Sequence, residues 1–149
     1  MRDIRISINK DEVYEEVAKT TAYIGGKTLD ANGKSLYDQV FVTDADRDML
    51  DGYWNAAIND VSVALDSILA FENSDSGEEE TFGLRVSSLF KESLTKTLKS
   101  SIFSYVVNKI VAGWCSVVAP DKVEYYEQVS KTHLAKIGEI IYARKRPTR

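Results

Sequence analysis

Between Ile102 and Val118 the chain is apolar on almost every side. Ile102, Phe103, Tyr105, Val106, Val107, Ile110, Val111, Trp114, Val117 and Val118 leave a helix no polar face to turn toward water. Such a helix has two places to go: the centre of its own subunit, or an interface shared with another. Both readings stand at the level of sequence. Lys109 interrupts the run, which falls short of the roughly 18 to 20 uninterrupted residues of a membrane span. No membrane segment is therefore expected. The helix is predicted from about Leu89 to Val118, with only Leu94 and Leu98 apolar before Ser101. Gly113 is expected either to kink it or to let a neighbour pack closely.

A central helix needs others around it, and three more are legible. Leu50, Trp54, Ala57, Val61, Ala64, Ile68 and Phe71 recur at alternating spacings of four and three, a sustained heptad. Thr43 or Asp44 can cap this helix, and acids crowd its first turn, where the helix dipole favours them. Over 44–70 it would be about 40 Å long at ~1.5 Å per residue. A compact chain of 149 residues has a radius of gyration near 15 Å, so the bundle should be elongated. Asn9 and Glu12 resemble a capping box ahead of a helix striped by Val13, Tyr14, Val17, Thr21 and Ile24 and stopped by Gly25-Gly26. Pro120 opens a last helix carrying Val123, Tyr126, Val129, His133, Ile137 and Ile141.

Strand signals are few. Residues 3–8 alternate with period two, and a second strand is expected at about 82–88, pairing with the first. Asn32-Gly33 marks a turn, and residues 39–42 suit a short extended piece. The expected fold is mainly α: an elongated four-helix bundle with a minor two-stranded β element. Residues 1–143 form one helical domain and 144–149 a basic arm.

Charge is segregated. The net charge is −4, yet removing Arg144, Lys145, Arg146 and Arg149 leaves 15 basic against 23 acidic residues, or −8. Glu72, Asp75, Glu78, Glu79 and Glu80 concentrate acid in one loop. Such runs are solvated tails and loops, or they are docking elements in which the basic tip meets an acidic surface. Nucleic-acid recognition is disfavoured, because an acidic body repels phosphate and no aromatics interleave the basic residues. The single cysteine, Cys115, cannot form an internal bridge, which suits a reducing compartment. The first residues lack the apolar core of a signal peptide, so a protein assembled in the cytosol is expected.

Catalytic and cofactor patterns fail on inspection. Gly26-Lys27-Thr28 resembles the end of a phosphate loop, but Thr21 stands where another glycine belongs and the segment follows a helix. Asp44, Asp46 and Asp48 resemble a calcium loop, but Met49 and Asn55 replace its glycine and glutamate. His133 reads as a packed, hydrogen-bonded histidine and Cys115 as a buried, inert thiol. A Cys115–His133 dyad would lack an orienting third group. Carboxylate pairs such as Glu15-Glu16 lack the Glu-x-x-His pattern of di-metal bundles. No catalytic, metal or cofactor site is expected. Tyr53 beside Trp54, and Tyr125 beside Tyr126, cannot all face inward, so one of each pair is expected at an interface. The candidate interface residues are Tyr53, Phe103, Val107, Val111 and Tyr125.

Two passages, Asp48-Met-Leu-Asp-Gly-Tyr-Trp-Asn-Ala-Ala-Ile-Asn-Asp-Val61 and Ile140-Ile-Tyr-Ala-Arg-Lys-Arg-Pro147, look like segments of small structural proteins of phages or prophages of Bacteroidetes. With the order strand, four helices, acidic loop and basic arm, the chain resembles the small helical head–tail connector (adaptor) proteins of tailed bacteriophages. The resemblance implies a non-enzymatic virion subunit assembled as a ring, often a dodecamer, between the portal protein and tail or stopper proteins. It implies that residues 144–149 dock on a neighbour. Glu72 to Glu80 would contact a neighbour or line a channel through which DNA passes as cargo without sequence recognition. The competing reading is a cytosolic helical adaptor or regulatory interaction module unrelated to virions.

Overall fold

A computed structural model describes residues 2–27, 46–70, 74–75, 78–88 and 90–145. The chain begins with strand β1 (Arg2–Asn9), followed by helices α1 (Lys10–Lys27) and α2 (Arg47–Leu65). Strands β2 (Ser74–Asp75) and β3 (Glu79–Val86) precede the two longest helices, α3 (Glu92–Val118) and α4 (Val123–Lys145). The architecture is mainly α with a small antiparallel sheet, as the sequence pattern predicts.

The sheet order is β1-β3-β2. Arg2 pairs with Val86 and Asn9 with Glu79, so the second strand starts earlier than the expected 82–88. Alternation explains both strands. Ile6 and Ile8 on β1, and Phe82, Leu84 and Val86 on β3, are buried on the helix side. Ser7 and Thr81 share a 2.8 Å hydroxyl contact, and Arg85 donates to Asp3 at 3.1 Å. The third strand was not legible. Ser74 and Asp75 carry no alternating pattern and are extended only because β3 pairs with them.

The acidic loop is thereby corrected. Asp75 belongs to β2, and Glu79 and Glu80 belong to β3. Glu80 is buried, opposite Ile8, and is not a surface contact. Glu78 and Glu79 remain exposed, while Glu72 lies outside the described residues.

α1 starts where expected: Asn9 Oδ1 accepts the Glu12 amide at 3.0 Å. Its stripe of Val13, Tyr14, Val17, Thr21 and Ile24 is buried throughout. The helical backbone passes through Gly25 and Gly26 to Lys27, since glycine permits a stop without compelling one. Gly26 and Lys27 are therefore part of a helix. Thr28, residues 32–33 and 39–42, and the caps Thr43 and Asp44 lie outside the described residues.

α2 is shorter than the heptad suggests. It gives way to a 3-10 turn at Asp66–Ile68, and Leu69 is already extended. The sheet takes the chain at that point: Leu69 bridges Leu84, and the Ala70 amide donates to Gly83 at 2.9 Å. The buried series is Leu50, Trp54, Ala57, Ile58, Val61, Leu65 and Ile68. Leu50 to Ile68 spans about five turns of 3.6 residues, so the stripe follows a straight helix and drifts off the heptad, burying Leu65 more than Ala64.

α3 is the core helix. Ile102, Tyr105, Val106, Val107, Ile110, Val111, Trp114 and Cys115 are buried among α1, α2 and α4. By length and composition it could cross a membrane, but most of its apolar surface is covered inside the subunit. Leu98 is fully buried, and Leu94 packs against the core from a less covered position. Gly113 is a close-packing site. A Cβ there would stand 2.7 Å from Cδ1 of Tyr53, so the ring lies flush on the helix.

Candidate functional site: an interaction surface

Of the five residues that sequence suggests for an interface, the fold buries two. Val111 and Val107 are buried within the subunit. Phe103 is half-buried and, with Val107, lines a cleft of about 210 Å³ beside Glu16 and Thr20 of α1. Tyr53 covers Gly113 of its own chain. The core helix leaves Val107 and Val111 no outward direction, while Phe103 and Tyr53 remain half-buried. Tyr125 is the most exposed of the five, 64 % exposed and edge-on to Tyr126 at 5.0 Å. Tyr23 (67 %) and Val117 (57 %) are exposed too. Burial first, and then Cys115, Tyr125 and Tyr23, raises the Tyr126 hydroxyl above its ordinary value.

The predicted arm is in part helix. The α4 backbone continues through Arg144 and Lys145, while Arg146 and Arg149 lie outside the described residues.

Cys115 and His133 are far apart. Cys115 sits at the C-terminal end of α3, where burial pushes its thiol up to about 11 and keeps it protonated at neutral pH. His133 faces the N-terminal half of α3, beside Ser100 and Ser101. Fifteen residues from Ser100 to Cys115 are about 22 Å of helix. Among the described residues, no cluster of three His, Cys, Asp or Glu side chains could hold a metal.

What the sequence reading missed is a cationic groove. Lys96, Thr97, Ser100 and Ser101 of α3 face His133 and Lys136 of α4 across an open space of about 410 Å³. His133 is half-buried here and makes no hydrogen bond among the described residues, unlike the satisfied histidine expected. The groove exists because α3 changes character along its length. Its first turns are apolar on one side only, so α4 packs there and leaves the polar shoulder open.

The charges of the groove are unbalanced. Farther along the same seam, Lys109 reaches Glu127 at 3.0 Å. Lys96, Lys99, Lys131 and Lys136 have no acidic partner among the described residues. The nearest acid of α3, Glu92, is already engaged by Arg2 at 3.1 Å. Glu139 of α4 is exposed and outside the groove lining.

A signal for this existed in the chain. No acid occurs between Glu92 and Asp121. Residues 1–92 hold 9 basic and 19 acidic side chains, a net −10. Residues 93–149 hold 10 basic and 4 acidic, a net +6. Among the described residues, α3 and α4 are the basic half, and the sheet with α1 and α2 is the acidic half.

No protein-family model, no curated protein and no solved structure matches the chain.

Proposed function

We propose that this chain is a non-enzymatic structural subunit that assembles with copies of itself, as a connector or adaptor ring seated between the portal and tail of a bacteriophage virion. The observation that carries the reading is the division of charge between two halves of one fold, −10 over residues 1–92 and +6 over residues 93–149. Opposite potentials on opposite regions of identical subunits favour head-to-tail contacts, which close into rings when the rotation allows. The exposed aromatics Tyr23 and Tyr125 add further surface for a different partner, the place of a portal or stopper protein in this reading.

Native mass spectrometry across protein concentration and salt tests it. The expected result is a multi-subunit species at low ionic strength that dissociates as salt screens the contact. A single-subunit mass under every condition removes self-assembly and leaves the adaptor reading.

A further inference from the structure

We infer that the groove between α3 and α4 is the acceptor of that self-assembly, and that it takes the carboxylates of Glu78 and Glu79 from a second copy. The inference rests on the assembly reading and names the site at which it occurs.

The acceptor is chemically specified. The exposed residues Lys96, Ser100 and Lys136 and the half-buried His133 line one open space, while the Thr97 hydroxyl there is spent on the Ser93 carbonyl at 3.0 Å. Ammonium and hydroxyl donors without internal acids are the complement of carboxylates. Each other charged seam in the described structure already holds its counter-charge: Lys10 with Asp51, Arg47 with Asp11, Arg85 with Asp3, Lys109 with Glu127.

The donor is equally specified. Glu78 and Glu79 are exposed where the chain enters β3 and have no ion pair among the described residues. The backbone there is held. The Lys10 amide donates to the Glu78 carbonyl at 2.7 Å, and Glu79 pairs with Asn9 in the sheet. Two carboxylates on a fixed turn cost less ordering entropy to dock than carboxylates on a loose loop.

Topology keeps the two apart in one copy. Glu79 begins β3, and Val86 ends it beside Arg2, which contacts Glu92 at the start of α3. That strand is about 23 Å long at ~3.3 Å per residue, and the groove opens within the first three turns of α3. The acidic turn and the cationic groove thus lie toward opposite ends of the sheet, an arrangement suited to a contact that propagates from copy to copy.

Charge exchange tests the pairing. Lys96→Glu with Lys136→Glu, and separately Glu78→Lys with Glu79→Lys, should each weaken self-association at least about tenfold, and the four changes together should restore most of it. Sedimentation velocity reads the association, and far-UV circular dichroism confirms that each variant is folded. A wild-type chain that associates while neither double variant changes the affinity overturns the groove and leaves the assembly reading standing. A wild-type chain that never associates overturns both. Duplex DNA that binds the wild type and is lost with Lys96→Glu and Lys136→Glu, self-association being unchanged, overturns the carboxylate assignment in favour of phosphate.

Discussion

The junction of α1 with α2 and the groove between α3 and α4 are built from the same residue types to opposite ends. At the first, each charge meets its opposite. Lys10 lies 3.0 Å from Asp51, Arg47 lies 2.6 Å from Asp11, and the Tyr14 hydroxyl donates to Asp51. The cations also sit over rings: Arg47 is 4.8 Å from the Tyr14 centroid, and Lys10 is 5.8 Å from that of Trp54, which stacks edge-on with Tyr14. At the second, lysines and a histidine line one opening with no acid among the described lining residues. A satisfied cluster fastens two helices and has nothing left to offer. An unbalanced one contributes little to folding and stays available for binding.

That contrast can be broken by substitution. The largest effect belongs to the fastened side. Trp54 is buried beneath Lys10, and Trp54→Ala should lower unfolding free energy by about 3–5 kcal/mol in urea titration. Tyr14→Phe keeps the ring and removes only the hydroxyl bond to Asp51, a loss of about 1–2 kcal/mol by the same measurement.

The hydrogen bond between Tyr14 and Asp51 also has a pH signature. The Tyr14 hydroxyl first, and then Lys10, hold the Asp51 carboxyl below its ordinary value of 3.8. A folded-state value below the unfolded one means the stabilisation is complete above the ordinary value. It is lost as pH falls through the lowered one. Asp51→Asn should therefore flatten this part of the acid limb in a stability–pH profile and leave the neutral and alkaline side without a new slope.

Glycines sharpen the comparison at the next level. Gly113→Ala drives a methyl to 2.7 Å from the Tyr53 ring and should destabilise by about 1–2 kcal/mol. Gly138→Ala, in open space on α4, should stabilise by up to about 1 kcal/mol, since only helix propensity changes. Thermal melts distinguish the two by sign.

The smallest effect belongs to the groove. Lys96→Ala and Lys136→Ala should each alter stability by no more than about 0.5 kcal/mol in urea titration. A large loss would show that the groove lysines hold the hairpin together and would erase the distinction between the two regions.

Much of the fold was legible because it depends on local periodicity. The stripe of α1, the Asn9 cap, the apolar body of α3 and the alternation of β1 follow from the spacing of side chains along a regular backbone, which neighbours in sequence already contain. The ends of elements were less legible. α2 stops at Leu65 because Leu69 and Ala70 are captured by β3, a partner distant in sequence. Two of the candidate interface residues were illegible for the same reason: whether Val111 and Val107 face a second subunit or their own depends on which helices surround α3.

The sequence by itself determined the elements, their apolar faces and the total charge. It also held the uneven division of that charge between residues 1–92 and 93–149. Only the tertiary structure decided that Lys96 and Lys136, forty positions apart, share one groove, while Lys109 in the same seam is neutralised by Glu127. Periodicity acts over a few residues of backbone, whereas the balance of charge at a point depends on every element packed around it.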